Sequence, residues 1–388
     1  MIFADTYGHT PYEKAFTQGD VYGIGYDSER VGRRSIKLGI IGAGGVAQSK
    51  YFPAIARLRM IWEPVEIVAF AEPRQDHARK VQAIYGGRWY TDYGEMLAQE
   101  TLDGVLVLSP DSLHREHTLA CLQAGVHVLV EKPIARSLAD AQEMCRTADE
   151  RHLTLMTVAN KRCSPPYRRA KAILNDGAIG HPALFTGKFM LGYDYVDLLE
   201  SGTIHLFDLA LYLMGSVSAV SAAGMKSPNS TRAYPIENAA LTLQFTSGAV
   251  GSMITSSTAL SFKAWERVEI HGDHAWLEVE DQYELRLHDS EMGATQSWRP
   301  VIPNTLLFDE EFGGYMSIVE NFAQSIRVAE IPVVTGWDGY RAYELLTATH
   351  LSLARHAWVS LPLDPILADA EVSDWLSKRT QGANQEKG

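Results

Sequence analysis

With 388 residues, 46% of them hydrophobic and 21% charged, the chain is long enough for two domains with their own cores and has the composition of an ordinary globular protein. A net charge of −12 argues against general affinity for nucleic acid or an anionic membrane, because both need phosphate neutralised by Lys and Arg. The three cysteines, Cys121, Cys145 and Cys163, lack metal-type spacing and cannot all pair with one another, which points to a reducing, cytoplasmic setting. No export-signal pattern is expected at the N-terminus, and no stretch has the length of a membrane span.

Residues 1–35 show no sustained hydrophobic period and read as an N-terminal extension outside the core. From Ile36 the pattern becomes that of a buried strand, followed at once by Gly42-Ala43-Gly44-Gly45-Val46-Ala47 and a helix through Leu58. This is G-x-G-x-x-A in its required context. Gly42 permits a tight turn, Gly44 lets the backbone approach a pyrophosphate, and Ala47 allows close helix–strand packing, so residues 42–46 are expected to cradle a dinucleotide. The next strand, 65–71, ends at Glu72, an acid suited to the adenosine ribose hydroxyls of NAD and repulsive to the extra phosphate of NADP. Glu72 lies 30 residues after Gly42, beyond the usual spacing of about 20, and Arg74 offers a partner to a 2′-phosphate.

The alternation continues with strands at 88–90, 104–108, 127–130 and 153–159 and helices at 93–99 and 118–124, with Ser137 capping another. This predicts a doubly wound parallel sheet over residues 36–160. Strand ends in such a sheet face the ligand crevice, which places Ser109, Pro110, His114, Glu131 and Lys132 beside the cofactor. Beyond Asn160, a helix at 167–176 gives way to strands at 183–189, 239–245, 250–255, 268–271 and 276–280, so residues 161–363 read as an α+β domain built on a mostly antiparallel open sheet. Two further helices, 314–328 and 338–358, are expected to cover surfaces left by the sheets, and residues 364–388 read as a polar tail.

One helix, 203–215, breaks the strand pattern of the second domain. His205, Asp208 and Tyr212 share one of its faces at i, i+3 and i+7, a polar stripe on an otherwise apolar helix. Mutual pairing of His205 and Asp208 in the core is the plain structural alternative to a site. His114 and His117 lack a third ligand at sensible spacing, so no metal is expected.

Taken together, Gly42-x-Gly44-Gly45, Thr91-Asp92-Tyr93, Asp103-Gly104-Val105, Ser109-Pro110-x-x-x-His114, Gly125-x-His127-Val128 and Glu131-Lys132-Pro133 resemble the Gfo/Idh/MocA oxidoreductases, the glucose–fructose oxidoreductase and inositol dehydrogenase group. Asn160-Lys161-Arg162 with Pro165-Pro166, Glu237-Asn238-Ala239-Ala240, Phe245-x-Ser247-Gly248-Ala249 and Leu361-Pro362-Leu363 extend the resemblance over residues 36–363.

The resemblance implies an N-terminal Rossmann domain, a C-terminal domain that carries substrate contacts and joins subunits into a homo-oligomer through its sheet, and NAD-dependent hydride transfer at a secondary hydroxyl of a sugar, cyclitol or related polyol. It also implies that the lysine of Glu131-Lys132-Pro133 serves cofactor and substrate, and that His205 belongs to the site. A neutral histidine is suited to take the hydroxyl proton while Lys132 steadies the alkoxide charge, and a cis peptide is expected before Pro133. Lys161, Arg162, Tyr193 and Asp208 are further candidates for substrate contact. The family's Asp-x-Gly-x-His is altered here, with Ser201 and Thr203 at its first and third places. Glu200 or Asp197 then replaces the acid, or Lys132 and His205 work without one. Two other functions fit the same residues: a net non-redox sugar lyase, epimerase or glycosidase-type enzyme that uses tightly held NAD transiently, and a non-catalytic NAD-binding sensor.

Overall fold

The computed structural model describes residues 33–60, 63–190, 197–228, 230–232, 234–259, 264–289, 293–300 and 313–385; most of the N-terminal extension, and Tyr193 with its neighbours, lie outside them. Six strands, β1 (Ile36–Ile41), β2 (Val65–Ala71), β3 (Arg88–Tyr90), β4 (Gly104–Val107), β5 (His127–Val130) and β6 (Leu155–Thr157), form a parallel sheet in the order β3-β2-β1-β4-β5-β6. All of β4 and nearly all of β5 is buried, as strands covered on both faces must be. The order reverses between β1 and β4, so a ligand crevice opens beyond their carboxyl ends. Helices α1 (Phe52–Met60), α2 (Gln75–Tyr85), α3 (Tyr93–Gln99), α4 (His114–Gln123) and α5 (Leu138–Glu150) alternate with these strands. The helix after the glycine turn starts as a π-helical turn, Ala47–Tyr51, which runs directly into α1.

The short α6 (Asn160–Cys163) and α7 (Pro165–Asn175) lead to β7 (Pro182–Met190), a second π turn at Leu198–Thr203 and α8 (Ile204–Met214). There follow β8 (Val217–Met225), β9 (Asn238–Phe245), β10 (Val250–Ser256), β11 (Glu266–Gly272), β12 (Ala275–Glu280), β13 (Glu284–Asp289) and β14 (Ala294–Trp298). The chain closes with α9 (Tyr315–Val328), α10 (Gly336–Arg355), β15 (Val359–Ser360) and α11 (Pro365–Gln385). The second sheet has the order β14-β13-β12-β11-β7-β10-β9-β8-β15 and is antiparallel except between β7 and β10. In β9, Ala239, Leu241, Leu243 and Phe245 point inward while Ala240, Thr242 and Gln244 face out, the period of two expected of a half-covered sheet. β8, which carries no strand signal in the sequence, is rich in Ser, Ala and Gly and lacks the large alternating side chains that mark its neighbours.

The last helices divide their work. On α9, Met316, Ile318, Val319 and Phe322 join Ile36, Leu38 and Ile40 of β1 in one core, so this helix closes the first sheet although it follows the second in sequence. α10 packs on α5, α8 and β8. Around it a second core runs without interruption from Val105, Val128 and Val130 of the first sheet to Phe185, Leu241 and Leu277 of the second. A capping box between Thr335 and Asp338 starts α10 two residues ahead of the expected position.

The segment expected as a polar tail is helical over its described part: α11 occupies 365–385 and docks by a specific contact. The Asp369 carboxylate accepts hydrogen bonds from the Leu138 and Ala139 amides at 2.9 Å each, while Ser137 accepts from the Asp140 amide at 3.0 Å. The first turn of α5 is thus capped from its own chain and from a distant helix, which hydropathy cannot reveal. Asp369→Ala should cost about 1 kcal/mol, the usual worth of a helix cap, read as a lower urea midpoint with unchanged slope.

Candidate active site

The glycine turn is shaped by two different constraints. Gly42 adopts φ 96°, and a Cβ there would sit 2.8 Å from the Leu108 carbonyl, so only glycine fits. At Gly44 the nearest atom to an added Cβ is on Arg74 at 3.5 Å, and at Gly45 nothing lies within 4 Å. Packing within the chain therefore does not require these two residues to be bare. Their open side faces a cavity of about 510 Å³ bounded by Gly42, Gly44, Gly45, Val46, Glu72, Ser109 and Pro110, a space that suits a dinucleotide. Ala43 is buried and donates its amide to Glu72 Oε2 at 2.9 Å.

Glu72 is 2% exposed and also accepts from the Arg74 amide at 3.0 Å and from Arg74 Nε at 2.8 Å. Burial opposes its ionisation, yet the hydrogen bonds from Arg74 and Ala43 hold the carboxyl below its ordinary pKa. The acid expected at the end of β2 is thus an oriented carboxylate on the cavity wall.

β5 delivers Glu131 and Lys132. Glu131 Oε1 accepts from the Tyr51 hydroxyl at 2.8 Å and Oε2 from the Lys132 amide at 2.7 Å, which ties the lysine's backbone to the helix that follows the glycine turn. His114, 1% exposed, sets its ring nitrogens 2.8 Å from the Pro133 carbonyl and 3.0 Å from the Ser109 carbonyl. Instead of lining the cavity, as their positions in the sequence imply, both residues turn inward and brace the loops that form it. His117 lines the cavity in their place, with Nδ1 2.8 Å from Ser109 Oγ, and burial lowers its pKa. The three-residue spacing of His114 and His117 on α4 therefore serves a brace and a wall. The Lys132–Pro133 bond is cis.

Lys132 Nζ crosses to the second domain and donates to the Ser201 carbonyl at 3.2 Å, one helical turn ahead of His205. Where the family pattern has an aspartate side chain, this chain offers a backbone oxygen. Asp197 accepts from the Leu199 and Glu200 amides at 2.8 and 2.9 Å and is spent on capping the π turn. Glu200 is pushed up to about 7 by burial and by Asp197, with Arg136 and Lys132 opposing. Burial raises Asp197 as well, against the hydrogen bonds from the Glu200 and Leu199 amides.

His205 packs against Phe189, their ring centroids 6.3 Å apart, and its pKa is driven well below the ordinary value by burial and then by the charges of Lys161 and Lys132. Lys161 is 4% exposed, paired with Glu266 and set over the rings of Phe189 and Trp265 at 4.8 and 5.0 Å. Arg162 and Asp208 depart from the substrate role expected of them. Arg162 Nε lies 2.9 Å from both Asp208 oxygens, Nη1 lies 3.3 Å from Asp338, and the guanidinium covers the Tyr212 ring at 5.0 Å. The polar stripe of α8 is thus divided: His205 lies among the lysines, while Asp208 and Tyr212 hold an internal arginine. Glu266, fully buried in phase with Val268 and Ile270 of β11, went unrecognised in the sequence; its signal is an acid at an inward position of an alternating strand.

No group of three or more His, Cys, Asp or Glu side chains suited to a metal occurs among the described residues, and no described helix is long and apolar enough to cross a membrane. The model of an oxidoreductase family with an NAD-binding Rossmann fold, Gfo/Idh/MocA, matches residues 36–159, and the model of that family's C-terminal α/β domain matches 199–361. Myo-inositol 2-dehydrogenase of Thermotoga maritima is 27% identical over 339 residues, covering 84% of this chain and 98% of that protein. D-apiose dehydrogenase of Paraburkholderia graminis is 26% identical over 311 residues, covering 76% and 83%. Among solved structures, levoglucosan dehydrogenase with NADH and levoglucosan shares the fold at a TM-score of 0.76, 20% identity and coverage of 85% and 100%. With its glycine cradle, its Glu131-Lys132-Pro133 strand end and both family domains in order, the chain belongs to the Gfo/Idh/MocA family of NAD-binding oxidoreductases.

Proposed function

We propose that the protein is an NAD-dependent dehydrogenase that moves a hydride between the nicotinamide and a secondary hydroxyl or ketone carbon of a sugar, cyclitol or sugar derivative. One observation carries this reading: Lys132, on the strand end that follows β5, reaches the turn that leads into the helix of His205, which supports these two residues as the proton-handling pair. A nicotinamide bound beside residues 42–46 and Glu72 would supply the hydride acceptor for the carbinol carbon. His205 takes the hydroxyl proton, and Lys132 donates a hydrogen bond to the same oxygen as its charge develops. The names of the inositol and apiose dehydrogenases among the relatives support a polyhydroxylated substrate.

NAD is preferred to NADP because the Glu72 carboxylate repels a 2′-phosphate and engages Arg74, the cation that would receive it. The outward face of the second sheet, with Leu184 of β7 beside Val250 of β10 and Ile254 exposed four residues further along β10, is the surface through which the chain forms a homo-oligomer. Three free, buried thiols fit a cytoplasmic protein.

The test is a screen of polyols, aldoses and glycosides with NAD and with NADP, followed by the absorbance of the reduced nicotinamide. Turnover of at least one polyol with NAD is expected. Because His205 is held neutral below its ordinary pKa, kcat/KM for oxidation should persist as pH falls through 6.5, a limb set by histidine's ordinary value. Silence across the screen would sink the reading, and NAD retained through purification without net NADH release would replace it with the transient-oxidation enzyme.

A further inference from the structure

Glu72 has no acceptor capacity to spare. Its two carboxylate oxygens take four donors: the Ala43 amide at 2.9 Å, the Arg74 amide at 3.0 Å, Arg74 Nε at 2.8 Å and Arg74 Nη2 at 3.3 Å. An ionised carboxylate offers about four such places, so two ribose hydroxyls can bind only where a present donor leaves. The amides are set by the backbone, which Trp89 holds through a 2.9 Å hydrogen bond from its indole N–H to the Glu72 carbonyl. The guanidinium belongs to a side chain that is 56% exposed, so it is the donor able to turn away.

Its surroundings say where it can go. Arg74 Nη2 lies 3.5 Å from the place a Cβ on Gly44 would take, so the guanidinium already stands against the open glycine of the cradle. Among the described residues that line the cavity, Arg74 is the one arginine or lysine, beside two acids, Glu72 and Asp92. His117, the other base there, is held toward its neutral form by burial. The Ala43 amide, a donor of the glycine turn, is spent on Glu72. A diphosphate brought to this wall needs a cation, and a planar guanidinium matches its paired oxygens.

We propose that Arg74 is a ligand of the cofactor's diphosphate: the adenosine ribose hydroxyls displace its guanidinium from Glu72, and the freed cation pairs with the phosphate oxygens at the glycine turn. This rests on the role given to Glu72 in the preference for NAD, and not on the reaction. The exchange leaves no charge alone. Glu72 gives up two donors and takes two, while the guanidinium trades one anion for another. An acid and an arginine two residues apart, which in the sequence compete for the 2′ position of the ribose, then have separate tasks: Glu72 reads the hydroxyls and Arg74 the diphosphate.

The test measures binding of NADH, NADPH, ADP-ribose and adenosine to the full-length protein by calorimetry, and so needs no turnover. Arg74→Met should weaken ADP-ribose and NADH by about 10–100-fold, the usual worth of a charge-assisted contact, and flatten the fall of their affinity with added salt. Adenosine, which has the ribose but no phosphate, should bind as it does to the parent or more tightly, because Glu72 then has two acceptor places open. Arg74→Gln keeps a donor for Glu72 without the charge and should show the same loss for ADP-ribose; it replaces the methionine variant if the unfolding midpoint of the latter has dropped. Unchanged affinity for ADP-ribose, or equal losses for ADP-ribose and adenosine, overturns the proposal and leaves the NAD preference standing. A loss confined to NADPH makes Arg74 a ligand of the 2′-phosphate, and then the proposal falls together with that preference, which the parent's affinities for NADH and NADPH read on their own.

Discussion

Replacing Lys132 by Met should lower kcat/KM by about 10²–10⁴-fold while NAD binding and the unfolding midpoint stay close to those of the parent. The methionine keeps the length and most of the volume of the lysine stem, so the loops around Glu131 and Pro133 lose no packing. What disappears is the donor that bridges to the Ser201 carbonyl and that the proposed reaction assigns to the substrate oxygen. The backbone of residue 132 remains held by Glu131, and the cavity wall made by residues 42–46 and Glu72 is untouched. Steady-state kinetics on whichever polyol the screen identifies, together with fluorescence titration of NADH, separates the two effects. A variant that keeps its activity would remove Lys132 from the reaction and leave the proton transfer to another group.

The largest loss of stability should come from a residue that does no chemistry. Asp208→Leu leaves Arg162, 4% exposed, with Asp338 as its remaining acid among the described residues, and breaking such a buried pair typically costs roughly 3–5 kcal/mol. Burial raises the Asp208 carboxyl above its ordinary value, and the arginine opposes that rise. The double variant R162M/D208L removes both charges and should recover most of the loss, since matched apolar side chains fill the same space without desolvating an ion. Urea denaturation of the parent, the single variant and the double variant checks this. If the single variant were as stable as the parent, the pair would be exposed to water in a way its burial denies.

The first domain was legible because its signals are local. A glycine turn directly follows β1, an acid ends β2, and each strand is separated from the next by a helix, so order and type follow from periodicity alone. The second domain was legible only where side chains alternate in size. β8 hides behind its small residues, and α11 hides behind its polar ones until Asp369 is seen to cap a helix more than 200 residues away in the chain. In the site, Lys132 and His205 stood out as charged or titratable groups on apolar elements. Their surroundings did not. Arg162 and Asp208 read as ligands because both are polar and near the motifs, whereas the fold spends them on each other. Glu266 was invisible because its meaning depends on Lys161, which arrives from a different element by way of the tertiary fold.

The core that passes through α5 and α10 from one sheet to the other sets how this enzyme can breathe. Opening the two lobes like a clamshell would pull Val128 and Leu277 into water with everything packed between them, a price in exposed hydrocarbon that thermal motion does not meet. Cofactor and substrate must therefore come and go past the loops at the strand ends, while the body behind them stays shut.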